Sequence, residues 1–434
     1  MQESDRNDYR KLTVIGDIMC EPPVFRQAER ADGTYDFMPA FEHLKPMLAD
    51  ADYAAGNLET PIAGKELGYT VRLVSFNAPV ELARTVQALG IRLVSTANNH
   101  ACDRGSTGIR ETLRNLDSIG LDHTGTFVGY RPDAPERIFY HQLGDTKLAF
   151  IACTYGTNYG INHAEPDEAN GDHINYLRPC KTKAGVGTRS QPKEYRAVLK
   201  LIDEARGEKH IWEDEVNVRN ALGISQAYAD DVLVPEECEP FLAQIERDCR
   251  EARQNADLVF LLPHMGGQFN TVPGAFSSYM MYRFVKMGFD GIFAAHSHTL
   301  QRACFAQGGV PCFYSMGNVS MAPFSAYAAR ETLPEYALAA HLYLKAGKIE
   351  KTTFSLTKII ENDDGRITVY PVDALYQRYL DLGSETVTKP GHPASDNIRV
   401  QGAAAAELLK NEAAEIYTRV TGRAFPGIRA EYEL

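Results

Sequence analysis

Along most of the chain, short apolar runs alternate with segments whose apolar residues fall at helical spacing. Leu12–Gly16 (LTVIG), Asp52–Gly56 (DYAAG) and Arg92–Ala97 (RLVSTA) are too short for helices and too apolar for loops, so each predicts a buried strand. Between them Phe41–Ala49 and Pro79–Leu89 read as helices, the second opening on Pro79 and stopped by Gly90. Thr107–Ile119, closed by Gly120, predicts another helix, and a β-rich stretch follows at Arg137–Gly144 and Lys147–Thr154. The α/β rhythm returns after residue 235: helix Pro235–Ala256, strand Asp257–Pro263, helix Phe276–Met287, strand Asp290–Ala295. Pro311–Ser315, Leu338–Leu344 and Thr352–Thr357 predict further strands, and Ala374–Leu382 and Gly402–Val420 predict helices across a Gly/Pro-rich joint near 383–395.

One segment breaks the rhythm. Residues 158–235 are polar and loop-rich, with helix-like pieces near 193–206, and read as an insertion or lid. The basic run Arg178–Arg189 within it reads as a solvated loop, or as the part of a lid that meets an anionic substrate. The pattern therefore predicts an α/β main domain over 10–345 carrying that insertion, and a tail over 346–434 whose strands and helices pack on or beside it.

Charge and composition narrow the function. With 45 Lys and Arg against 57 Asp and Glu, the 434-residue chain carries −12, which argues against nucleic acid as a partner. No apolar run reaches the ~18–20 residues of a membrane span, so no direct membrane insertion is expected. The start, MQESDRNDYRKL, has no apolar signal core, so the chain as given reads as cytoplasmic, or as envelope-associated if an N-terminal anchor was removed. The eight cysteines show no CxxC pair and read as mostly free thiols in a reducing compartment. No GxGxxG or P-loop is present, and Ser277, Ser278 and Ser315 lack a GxSxG context, so a serine hydrolase is not expected.

The candidate chemistry lies at the strand ends. Asp17 follows LTVIG, Glu59 follows DYAAGNL, Asn99 and His100 follow RLVSTAN, His264 follows DLVFLLP, and His296 and His298 follow DGIFAA. Loops at the carboxyl ends of strands in α/β sheets converge on one crevice, so these groups are placed within reach of one another. His, Asp, Glu and Asn form a donor set for Zn²⁺, Mn²⁺ or Fe²⁺. His296 and His298, two apart on an extended segment, are expected to point to one face.

The ordered motifs IGDIM (15–19), GNLE (56–59), ANNHACDRG (97–105), YGTN (155–158), PHMGGQ (263–268), AHSHTLQ (295–301) and YSMGN (314–318) resemble those of the CapA family of poly-gamma-glutamate capsule biosynthesis proteins. That family is related to the calcineurin-like metallophosphoesterases, and the resemblance covers roughly residues 12–320. It implies a four-layer αββα sandwich and a one- or two-metal site. Asp17 and His298 would hold the first ion, Glu59 would bridge, and Asn99, His264 and His296 would complete the second. His100 would be the catalytic histidine, its tautomer fixed by Asp103. The implied activity is hydrolysis of a phosphoester or amide by a metal-bound hydroxide, on an anionic small molecule or polymer linked to capsule metabolism. The alternative is a non-catalytic component of polymer synthesis or export that binds polymer or capsule-synthesis proteins. Met19 stands where the wider superfamily has a histidine, His264-Met265-Gly266-Gly267-Gln268 replaces the family's His-Trp-Gly-x-Glu, and Ala294-Ala295 replaces the glycine before the last motif. Those departures leave open a weakened first site, a single ion, or activity on a different substrate.

Overall fold

Apolar runs too short for helices must satisfy their backbone groups against neighbours, and here they pair into two sheets. The computed structural model describes residues 9–70, 75–130, 137–180, 193–208, 218, 230, 233–323, 328–390 and 398–434. The larger sheet has nine strands built around Arg10–Ile18, in which every residue after the first is buried. On one side this strand pairs in parallel with Tyr53–Leu58, and the parallel order continues through Ile91–Ser95 to Asp122–Thr124. On the other side Tyr336–Lys345, Lys348–Glu361 and Ile367–Pro371 add in antiparallel order. Asn318–Ser320 pairs in parallel with the end of Arg10–Ile18, and Tyr432–Glu433 attaches to Lys348–Glu361. The smaller sheet runs Ala303–Phe305, Pro311–Phe313, Gly291–Phe293, Leu258–His264, Thr146–Thr154, Phe139–Leu143, with the four central strands parallel.

Alternate residues of each strand face opposite sides, which sorts the core into layers. Leu12, Val14 and Leu93 of the large sheet share one cluster with Phe150, Phe260 and Leu262 of the small sheet. Ile15, Ala54, Ile91 and Val94 point the other way, onto helices Val80–Ala88 and Gly105–Ile119 through Leu82, Val86 and Leu116. The far face of the small sheet, with Ile151, Val259 and Leu261, packs on helices Pro235–Asn255 and Ala275–Met287 through Leu242, Ile245, Met280 and Phe284. Helix, sheet, sheet and helix thus stack in the four-layer αββα order that the resemblance implies.

The tail is woven into this frame. Lys348–Glu361 and Ile367–Pro371 extend the large sheet itself, and helices Val372–Leu382 and Gly402–Thr421 cover its inner face through Leu375, Tyr379, Leu409 and Ile416. Of the insertion, the structure describes a one-turn helix Tyr159–Asn162, a two-residue strand His173–Ile174 paired with Thr126–Phe127, and helix Lys193–Arg206. Its first part is stitched to Thr154, whose amide donates to the Asn175 carbonyl (2.8 Å) and whose carbonyl accepts from Leu177 (2.8 Å). Most of the basic run after Cys180, and residues 391–397 of the joint, lie outside the described residues.

One buried charge fastens the last helix to the sheet. Lys358, fully buried, donates to Glu335 (3.0 Å) and to Glu412 on helix Gly402–Thr421 (2.6 Å), and lies 4.2 Å from the Tyr336 ring centroid. Burial works against its charge, but the two carboxylates outweigh burial and hold it protonated. Removing one partner of such a group strands the others in low dielectric. Lys358→Met is therefore expected to cost about 3–5 kcal/mol of stability, read as a fall in the urea midpoint. A cost below about 1 kcal/mol would show that the carboxylates find other partners.

Candidate metal centre

The parallel strands of both sheets end at one edge, and the register there is set by a close approach. Asp17 sits level with Asn57 on one neighbouring strand and with Asn318 on the other. Its amide donates to the Gly317 carbonyl at 2.9 Å, and a Cβ on Gly16 would stand 2.1 Å from that oxygen. Gly317 itself has φ of 69°. Side chains at either glycine would push the strands apart and move Asp17. From the small sheet, His264 ends its strand beside Thr154, and Ala295 bridges to it so that His296 and His298 follow at the same edge.

The six residues expected as ligands come together, all of them buried. Glu59 is central: His264 Nε2, His298 Nε2 and His100 Nε2 lie 3.4, 3.7 and 4.0 Å from its Oε1. Asp17 lies 3.9 Å from His264 Nδ1 and 3.5 Å from His298 Nδ1. Two overlapping triads, Glu59–His296–His298 and Asp17–Glu59–His264, each offer one ligand atom per residue within 4.8 Å of one another. Asn99 adds its carbonyl oxygen, 2.7 Å from His264 Nε2.

The fit to a cation can be judged from what is left unsatisfied. Both carboxylate oxygens of Glu59 and Nδ1 of His296 are buried with no hydrogen-bond partner among the described residues. An orphaned buried carboxylate costs several kcal/mol, about as much as its desolvation. A divalent cation would satisfy it at once, and two carboxylates, three imidazoles and an amide are ordinary donors for one. The candidate ligands are held from behind: Asn57 donates to Asp17 Oδ1 (2.7 Å) and approaches His264 Nδ1 (3.1 Å), while Asn318 Oδ1 meets His298 Nδ1 (2.9 Å). Asn318 is fixed in turn by bonds from its amide nitrogen to the carbonyls of His298 (2.8 Å) and Pro334 (2.9 Å).

His100 and Asp103 form a separate pair at the rim. His100 Nδ1 meets Asp103 Oδ2 at 2.6 Å, and that carboxylate also accepts the Phe76 amide (2.7 Å) and, through Oδ1, Asn162 (3.0 Å). The Phe76 ring stacks on His100 with centroids 4.1 Å apart. Burial would discharge His100, but Asp103 and then Glu59 overcome it and raise its pKa. Burial, helped by the neighbouring His264 and His298, holds His296 well below the usual range.

One sequence expectation needs correction. His296 and His298 do not share a face by extension, because both take positive φ, 102° and 53°. They reach Glu59 through that re-aimed backbone, a costly conformation for non-glycine residues. Met19 packs in the apolar cluster between the large sheet and its outer helices. The reading of the sequence also passed over Asn57, Asn318, Phe76 and Asn162. The first two lie in the strand-end motifs GNLE and YSMGN, so the signal was present without a role attached to it.

A family profile described as bacterial capsule synthesis protein PGA_cap matches residues 11–322. The chain is 23% identical over 315 residues to the capsule biosynthesis protein CapA of Bacillus anthracis, covering 72% of this chain and 60% of that protein. It is 22% identical over 314 residues to the PGA biosynthesis protein CapA of Bacillus subtilis (strain 168), covering 72% and 63%. The match therefore spans less than two thirds of these relatives' length. Among solved structures, a hypothetical protein from Thermus thermophilus aligns with a TM-score of 0.37 at 14% identity, over 83% of this chain and 98% of that one. A novel phosphatase from Mycoplasma pneumoniae aligns at 0.35 and 10% identity, over 83% and 91%. Among the described residues no helix is long and apolar enough to cross a membrane.

Metal binding should be linked to protons. Burial acts to discharge His298, but Glu59 and Asp17 outweigh it and push its pKa up to about 9. Without metal the ring is thus protonated at neutral pH, and a cation must displace that proton. Mn²⁺ affinity is expected to fall roughly tenfold per pH unit from pH ~8 to ~6.5 for one proton released. Titration calorimetry in two buffers of different ionisation heat would measure the release; none at neutral pH would contradict the assignment of His298 as a ligand.

Proposed function

Because the chain belongs to the PGA_cap family of bacterial capsule synthesis proteins, we propose that it is a metal-dependent hydrolase of a phosphoester or amide bond in an anionic substrate. The names of its relatives, capsule and PGA biosynthesis proteins, support an anionic polymer or its fragments as that substrate, with capsule-synthesis proteins as partners. The observation that carries the reading is Glu59, buried with both oxygens unpartnered and ringed by His264, His298 and His100. One or two ions of Mn²⁺, Zn²⁺ or Fe²⁺ suit this mixed nitrogen and oxygen set. A divalent cation held there supplies Lewis-acid polarisation of the substrate and activates water at neutral pH.

The chain's own groups do the proton work. Asp103 accepts the Nδ1 proton of His100, which leaves Nε2 as the nitrogen that gives or takes a proton on the side of Glu59. Phe76 covers one face of the imidazole and keeps water from it. His100 is thereby placed to protonate the leaving oxygen from Nε2, while Asp103 stabilises the charged ring before transfer.

His100→Ala is expected to keep its metal yet lose about 10²–10⁴-fold in hydrolysis of methyl phenyl phosphate, whose leaving group needs a proton. His264→Ala should lose both metal and activity. Elemental analysis alongside turnover separates the two. Wild-type rates in both variants would refute the assignment. Metal bound without hydrolysis in the wild type would favour the non-catalytic reading, in which the site binds polymer or partner proteins.

A further inference from the structure

The YGTN motif places a residue at the rim that the hydrolase reading leaves without a task. Asn158 is pinned by its backbone: its amide donates to the Asn99 carbonyl (2.8 Å), and its own carbonyl accepts from Ile161 (2.9 Å) and Asn162 (3.0 Å). Its carboxamide is oriented by a chain of constraints that starts at the cation site. Asn99 directs its carbonyl oxygen toward His264 Nε2 (2.7 Å), so its amide nitrogen faces outward and donates to Asn158 Oδ1 (3.2 Å). An amide has one accepting and one donating end, so Asn158 must turn its nitrogen toward His100. That nitrogen lies 3.3 Å from His100 Nδ1 and 3.4 Å from Nε2. The Nδ1 proton already goes to Asp103 at 2.6 Å, so the first approach is donor against donor, and the second is long. The Asn158 amide therefore presents a donor beside the one atom of His100 that exchanges a proton.

Resting on the hydrolase reading, we propose that Asn158 is a substrate-contacting residue whose amide nitrogen binds the leaving oxygen while His100 Nε2 protonates it, fitting the site to esters with poor, alcohol-like leaving groups. In the step, the phosphorus–oxygen bond breaks with its electron pair passing to the leaving oxygen. That oxygen takes the Nε2 proton and accepts a hydrogen bond from Asn158. Water supplies the oxygen of the new bond to phosphorus and releases a proton to solvent.

A series of methyl aryl phosphates from 4-nitrophenyl to phenyl tests this, with metal content and melting temperature measured in parallel. A nitrophenolate leaves unaided, whereas a phenolate needs the donors. Asn158→Ala, which removes the donor without adding charge, should retain its metal, fall less than about threefold on the nitrophenyl ester and about 10²-fold on the phenyl ester. Should Asn158→Ala lose metal, the near-isosteric Asn158→Leu decides by the same comparison. An equal fall across the series, or none, overturns the assignment of Asn158 while leaving the hydrolase reading intact. A wild type inert on the whole series overturns the hydrolase reading and this assignment with it.

Discussion

Two buried carboxylates govern the edge where the sheets end. Asp17 and Glu59 are fully buried, and neither has a Lys or Arg ion pair among the described residues; their charged neighbours are histidines. Negative charge in low dielectric must be compensated. In the protein alone part of that compensation comes from His298, whose ring the carboxylates keep charged. A cation would do it better, because it also meets the Glu59 oxygens that no hydrogen bond reaches. His296 is held neutral first by burial and then by its histidine neighbours, and its unpartnered Nδ1 keeps a lone pair available.

The rest of the fold is arranged so that those charges stay in place. A central strand paired on both sides and buried on both faces has few ways to shift, since a slip of one residue would send every side chain into the opposite, already packed core. The register that sets Asp17 against Asn57 and Asn318 is thereby locked by the cores on either side of Arg10–Ile18. Glycines at 16 and 317 allow the strands to close, and the Lys358 cluster anchors the last helix over the antiparallel half of the same sheet. Among the six candidate ligands only His296 and His298 take positive φ.

Much of this was legible in the sequence because the signals were local. Apolar runs of strand length mark both sheets, and six ligand candidates were recognisable from chemistry placed directly after such runs. What stayed hidden depends on pairing between distant segments. Lys348–Lys351 (KIEK) reads as polar, yet it forms the first part of a strand whose partner, Tyr336–Lys345, supplies the pairing. The three-residue strand Asn318–Ser320 is too short to leave a periodic trace. The positive φ at His296 and His298 is imposed by the turn that returns the chain to the sheet, and nothing in His-x-His encodes it. Phe76 and Asn162 join the His100–Asp103 pair through contacts across 27 and 59 residues, beyond the reach of any local pattern.

Asparagine recurs at this edge for a physical reason. Asn57, Asn98, Asn99, Asn158 and Asn318 each touch a ligand, the His100 pair or another asparagine. Carboxylates in those positions would add negative charge to a site that already carries more than burial tolerates, and hydroxyls would be too short to span the gaps. An amide is neutral and directional, so fixing one end fixes the other. The oxygen of Asn99, held toward His264, sets the direction of Asn158, and through it the donor that faces His100. In this way the buried carboxylate–histidine cluster and the His100–Asp103 pair are joined by neutral groups that transmit orientation without altering the charge balance on which the edge depends.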